Sequence, residues 1–219
     1  MGPRARGRGG GALQVNLPRV HAVTDAAVLQ LADFLDVARR IATLGGRVAI
    51  HLRDRTASGR ALADHAVALH DTLAGTGTAL VINARPDIAA AVAAQGVQLG
   101  GGDLAVADAR RVLPRQWLGR SVHSMDEARA AARDGADYLI AGTTYATPLH
   151  EGRAPRGTAF ITEIARAGPP VIAIGGVTPE RVAELHAAGA YGVAAIRAIW
   201  GASDPAHAVA QMLEPWEAR

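Results

Sequence analysis

The 219 residues include no cysteine. That excludes disulfides, a thiolate metal site and a cysteine nucleophile. Lysine is absent as well, all 23 basic residues being arginine, so Schiff-base chemistry and an ammonium clamp on phosphate are excluded too. Aromatic residues make up only 4% of the chain, which leaves few platforms for stacking nucleic-acid bases. The formal charge of +3 matches the three head arginines Arg4, Arg6 and Arg8. The remainder is balanced, which argues against a basic nucleic-acid surface. No apolar run reaches the ~18 residues of a membrane span. Residues 1–16 form a Gly/Arg-rich head without the apolar stretch of a secretory signal. The expectation is a disordered tail ahead of a cytoplasmic protein.

What is abundant is hydrophobicity, 49% of residues, dealt out in one recurring unit. A short β-branched run ends in polar or glycine residues, and an Ala/Leu-rich amphipathic stretch follows. The runs are Val20–Thr24, Val48–Arg53, Ala79–Asn83, Val97–Gly100, Trp117–His123, Tyr138–Gly142, Val171–Gly176 and Tyr191–Arg197. The amphipathic stretches are Leu29–Leu44, Ser58–Leu73, Asp87–Ala94, Val106–Leu113, Met125–Asp134, Ala159–Ala167, Pro179–Ala188 and Pro205–Glu214. Strict alternation argues a parallel sheet with helical crossovers. Eight pairs are the number that closes a (β/α)8 TIM barrel over residues 17–219; an open doubly wound sheet is the alternative. No linker divides the chain, so one domain is expected.

In a barrel, chemistry sits at the C-terminal ends of the strands. His123 ends the fifth run, and period-2 alternation sets Gly119, Ser121 and His123 on one face. It precedes a capping box, Ser124-Met125-Asp126-Glu127. The positive end of that helix dipole favours a neutral imidazole, suited to proton transfer; a structural histidine bonded to a loop carbonyl is the alternative. Gly175 and Gly176 end the seventh run before Thr178-Pro179-Glu180. Loops after strands 7 and 8 often hold phosphate in this fold, so the backbone of Gly175, Gly176, Ala195 and Ile196 is a candidate anion cradle, with Arg197 beside it. A tight turn serving packing is the competing role for the glycines. His51, Arg53 and Arg55 alternate at the second strand end as candidate cationic donors. Asn83 ends the third run with Asp87 after it, and Asp103 follows the fourth; the two acids fit Mg²⁺, but helix capping is their commoner use. Thr147 and His150 lie in a long loop after the sixth run, the kind that often forms a lid. His21, His65, His70, His186 and His207 show no metal-ligand spacing, and no metal or other cofactor is expected.

Several stretches together resemble one family: His21-Ala22-Val23-Thr24-Asp25, His51-Leu52-Arg53, Val97-Gln98-Leu99-Gly100, Gly119-Arg120-Ser121-Val122-His123-Ser124, Gly135-Ala136-Asp137-Tyr138 and Val171-Ile172-Ala173-Ile174-Gly175-Gly176-Val177-Thr178-Pro179. Over roughly residues 19–212 the chain is similar to the thiamine phosphate synthase / thiazole tautomerase (TenI) superfamily. The resemblance implies one of two reactions. The synthase branch joins a pyrimidine pyrophosphate to a thiazole phosphate, with a Mg²⁺-binding Asp after strand 3, a pyrophosphate-binding Lys in the strand 6 loop and a strand 2 pattern Gln-x-Arg-x-Lys. Here these positions read Ala84, His150 and His51-x-Arg53-x-Arg55, while Asp103 matches the synthase's acid after strand 4. The tautomerase branch shares the opening His-Ala-x-Thr-Asp and the block Gly-Arg-Ser-Val-His-Ser, and the histidine matching His123 is its acid/base. The expectation is therefore a metal-independent thiazole tautomerase that aromatises a 2-carboxy-dihydrothiazole phosphate. In it His123 moves the proton, Gly175, Gly176, Ala195 and Ile196 anchor the phosphate, Arg53, Asn83 and Thr147 make other polar contacts, and Ser121 touches the ring. Thiamine phosphate synthase and a non-catalytic phosphate-ligand-binding regulator are the alternatives. The expected partner is a small thiazole phosphate, with no nucleic acid or membrane; a homo-oligomer is compatible with the sequence.

Overall fold

The computed structural model describes residues 16–147 and 154–217. The head up to residue 15, and His150 with the rest of 148–153, lie outside the described residues. Eight strands, β1 (Val20–Val23), β2 (Val48–Leu52), β3 (Ala79–Asn83), β4 (Gly96–Leu99), β5 (Trp117–Val122), β6 (Tyr138–Ala141), β7 (Val171–Ile174) and β8 (Gly192–Ala195), pair in parallel in sequence order. The cylinder closes where Val20, His21 and Ala22 pair with Val193, Ala194 and Ala195. This is a single (β/α)8 barrel, and the open sheet is ruled out. No helix among the described residues is long and apolar enough to cross a membrane.

The helices are α1 (Ala26–Leu29), α2 (Phe34–Ala42), α3 (Gly59–Leu73), α4 (Pro86–Ala91), α5 (Val106–Val112), α6 (Met125–Arg133), α7 (Gly157–Ile164), α8 (Val182–Ala187), α9 (Arg197–Trp200) and α10 (Pro205–Glu217). The expected continuous helix Leu29–Leu44 is two helices. Asp25 caps the first by accepting from the Val28 N–H at 3.0 Å. The chain then turns at Asp33, so that Phe34, Val37, Ala38 and Ile41 form one buried stripe while Leu31 is left exposed. The end of the run read as a strand over Tyr191–Arg197 instead starts the extra helix α9, because Ile196 leaves extended geometry with ψ −83°.

Side-chain alternation sorts each strand between two environments. Outward residues such as Val20, Ile50, Ile82, Leu118, Leu139 and Val193 join the helix stripes in the main core. Fully burying an aliphatic side chain of this size contributes ~1.5–3 kcal/mol. Inward residues fill the lumen unevenly. Ile140, Ile172, Ala194 and Val23 pack with Tyr138 and Leu17 on one side, and Ala49, Ala79 and Val81 line the floor on the other. Above that floor the lumen carries buried polar side chains, His21, His51 and Gln98.

Candidate active site

At the strand C-terminal mouth, β2 to β5 supply the polar wall. Past β2, Arg53 continues the inward face of His51. Its backbone is locked to Thr24, whose hydroxyl donates to the Arg53 carbonyl at 3.1 Å and accepts from the Arg53 N–H at 2.8 Å. The guanidinium is partly buried and donates to no side chain among the described residues. Burial and the charge of Arg55 lower its affinity for the proton, against the opposing carboxylates of Asp25 and Asp54; at any ordinary pH it remains a cation. Asn83 ends β3 with Oδ1 3.3 Å from His51 Nδ1. Ser121, inward on β5, accepts from Gln98 Nε2 at 3.0 Å.

Below them, His21 Nδ1 lies 2.7 Å from His51 Nε2, and His21 Nε2 lies 3.1 Å from the Pro18 carbonyl. Burial lowers the His21 pKa to about 4, partly opposed by the Pro18 hydrogen bond. Burial pulls His51 well down too, helped by repulsion from His21 and opposed by Asn83. Both rings are neutral at pH 7. Gln98 Oε1 and the Tyr138 hydroxyl, both buried, have no hydrogen-bond partner among the described residues. The two side chains converge over Gly119, where a Cβ would overlap both the Gln98 oxygen and the Tyr138 ring.

The opposite wall is backbone and apolar side chain. Thr144 N–H donates to the Ile174 carbonyl and Tyr145 N–H to the Gly175 carbonyl, each at 2.9 Å, which zips the loop after β6 onto the loop after β7. Gly175 and Gly176 have φ of +101° and +65°, a region that L side chains avoid. A Cβ at Gly175 would stand 2.6 Å from Thr143 Cγ2, and one at Gly176 2.8 Å from the Ala146 carbonyl. Packing therefore requires both glycines. Their carbonyls are occupied, that of Gly176 by Arg181 at 2.5 Å, while the N–H groups of Gly175, Gly176 and Ile196 donate to no group among the described residues. Ala195 stands within β8 in register with Ala22, so its backbone belongs to the sheet. Arg197 Nη2 donates to Thr147 Oγ1 at 3.2 Å, bringing the strand 6 and strand 8 loops together.

His123 follows β5 at the mouth, with Ser124 between it and α6. Its ring is exposed, with Nδ1 3.4 Å from Glu127 Oε2, the oxygen that also accepts the His123 N–H at 2.7 Å. The capping box forms, Ser124 Oγ accepting from Glu127 N–H at 3.2 Å, but its glutamate reaches back one residue further than Ser124. The carboxylate engages Nδ1 and leaves Nε2 without a partner among the described residues. Two capping expectations are corrected. Asp87 pairs with Arg85 at 2.8 and 2.5 Å instead of capping α4, and Asp103 accepts from the Gly100 N–H at 2.6 Å, closing its own turn ahead of α5.

Sequence reasoning set aside His21 and did not weigh Gln98 or Tyr138 as functional side chains. The available signal was a polar residue in the middle of a strand on the lumen face: His21 two before Val23, Gln98 two after Gly96. His21 carries no metal-ligand spacing, and its partner is a histidine 30 residues on, not a cation.

The comparisons with known proteins agree with one another. A family model described as thiamine monophosphate synthase matches residues 20–199. The chain is 41% identical over 188 residues to the thiamine-phosphate synthase of Methanoculleus marisnigri, covering 84% of this chain and 89% of that protein. It is 36% identical over 196 residues to the thiamine-phosphate synthase of Chloroflexus aurantiacus, covering 89% and 90%. The solved thiamine phosphate pyrophosphorylase from Pyrococcus furiosus superposes with a TM-score of 0.79 at 30% identity, over 92% of this chain and 96% of that one.

Proposed function

We propose that this chain, which belongs to the TMP-TENI family of thiamine monophosphate synthases, is a transferase that couples a pyrimidine pyrophosphate to a thiazole phosphate. The isomerase expectation is overturned by the relatives, which carry the synthase name at about 40% identity across most of the chain. It rested on Ala84 in place of the synthase's acid and on His123 as an acid/base. The observation that carries the synthase reading is the family match over residues 20–199.

The reaction requires a bond from the thiazole nitrogen to the pyrimidine methylene carbon. The carbon–oxygen bond to pyrophosphate breaks, and its electron pair leaves with the oxygen. The leaving group needs fixed positive charge where its own charge grows. Arg53 supports this role: it is cationic and partly buried, and its backbone is fixed by Thr24. The N–H groups of Gly175, Gly176 and Ile196 suit the phosphate of the thiazole half, in the loops where barrels commonly bind one. Between them, Ile140, Ile172 and Ile174 offer an apolar wall to the heterocycles, while Asn83, Gln98 and Ser121 offer hydrogen bonds to a ring edge. Holding both rings in line removes the entropy of bringing them together.

The resemblance implies Mg²⁺ on a carboxylate at the position of Ala84. A methyl group ligates nothing, and Ala84 sits at φ +64°. Asp103, the other acid of that pattern, is engaged with Gly100, and no three His, Cys, Asp or Glu side chains converge among the described residues. The side chains present do not fit a paired-carboxylate site. The test is turnover of purified protein with both substrates, with and without Mg²⁺. Stoichiometric thiamine phosphate and pyrophosphate are expected; substrate binding without any coupled product under either condition overturns the reading.

A further inference from the structure

We infer that the buried pair His21 and His51 fixes which end of the Asn83 amide faces the barrel mouth, and that the end presented is the carbonyl oxygen. The argument follows the protons from the floor upward. Pro18 offers only a carbonyl, an acceptor. The nitrogen facing it at 3.1 Å, His21 Nε2, therefore carries the proton of that neutral ring. His21 Nδ1 is then a lone pair, and its partner at 2.7 Å, His51 Nε2, must donate. A neutral imidazole has one N–H, so His51 Nδ1 is also a lone pair. The atom placed against it, Asn83 Oδ1 at 3.3 Å, is also an acceptor, so the amide must be turned to put a donor there.

An asparagine amide supplies one through its NH2, and its two ends exchange by a half-turn that leaves the side-chain envelope unchanged. With NH2 on His51, Oδ1 points away from the relay, toward the mouth. The reverse order would leave His21 Nε2 and the Pro18 oxygen as two lone pairs in contact within a fully buried site, where an unmet polar group is costly. A proton shared by the pair would also reverse Asn83, but both rings are pushed toward the neutral form by burial. The titratable and charged groups facing the pair from the other strands are Tyr138, whose ring centre is 5.7 Å from that of His21, and Arg53 above His51. Neither is an anion that would hold a proton there.

Asn83 thus meets a ligand as an acceptor. It suits an N–H or amino group on a heterocycle and is mismatched to a phosphate oxygen. Assigning that group to the pyrimidine half rests on the coupling reading above. His21 and His51 are positioning residues, acting through Asn83.

Long-range ¹H–¹⁵N correlation spectra of ¹⁵N-histidine protein at pH 7, without substrate, read the tautomers directly. His21 and His51 are each expected with Nε2 protonated and Nδ1 bare. A proton on His51 Nδ1 overturns the inference, whatever the substrate proves to be. In the coupling assay, His21→Phe removes the acceptor that orients His51. The KM for the pyrimidine pyrophosphate should rise about 5- to 10-fold, the worth of one hydrogen bond, with kcat and the KM for thiazole phosphate within twofold. Equal KM values for wild type and a folded His21→Phe overturn the inference too. If His21→Phe does not fold, the wild-type tautomers still decide it.

Discussion

The two sides of the barrel lumen are built from opposite materials. From β1 to β5 the inward positions above the Ala49, Ala79 and Val81 floor include His21, His51 and Asn83 in one polar run and Gln98 with Ser121 in another. From β6 to β8 they hold Ile140, Ile172 and Ala194, and there the polar groups turned to the mouth are backbone N–H groups. The polar side is specified by side chains whose neutral forms must be matched donor to acceptor. The apolar side is specified by glycines that let backbone approach backbone. A substitution on the first side therefore alters chemistry and pH response, and one on the second alters packing.

The largest effect is expected at Arg53. Arg53→Gln keeps much of the side chain and removes the charge, and kcat/KM for coupling should fall ~10²–10³-fold, the range of losing one preorganised stabilising group. Steady-state assays check this; a loss under tenfold would move the anion site to the other wall. Next in size is the acid response of the histidine pair. Because the folded His21 pKa, about 4, lies below its unfolded value near 6.5, the unfolded state binds more protons between these values. Stability is intact above about pH 6.5 and falls as the pH drops toward about 4, by roughly 3 kcal/mol for this one group. Urea midpoints at pH 7 and 4.5 measure it, and His21→Phe should flatten the slope. Equal slopes in the two proteins would show that the polar side is not the acid-sensitive one.

Gly119 sits at the seam between the sides. Gly119→Ala pushes a methyl into Gln98 and Tyr138 and should cost ~1–3 kcal/mol. Gly101→Ala, with nothing within 4 Å, should stay within about 0.5 kcal/mol of wild type. Thermal melts of the two separate crowding from a general intolerance of added methyls. The smallest effect belongs to His123, exposed and paired with Glu127. His123→Ala should change kcat by less than the ~10²-fold that loss of a general base brings, and a larger fall would restore it to the reacting atoms.

The sequence by itself determined the architecture. Alternating β-branched runs and amphipathic stretches count out eight units, and inward and outward residues can be read off by parity, as Gly119 and Ser121 show. It also placed Gly175, Gly176, Arg53 and Asn83 at the mouth, because strand ends are legible from where the apolar run stops. Tertiary structure alone decided what those side chains meet. His21 and His51 are not opposite each other in register, since His21 pairs with Ala49 and His51 with Val23. They touch because inward side chains two residues apart in register on neighbouring strands are diagonal neighbours on one face of the sheet. No spacing along the chain encodes that meeting, because it depends on the register of β1 against β2, which exists only once the strands have paired; the contact of His123 with Glu127, four residues on at a helix start, is local by contrast.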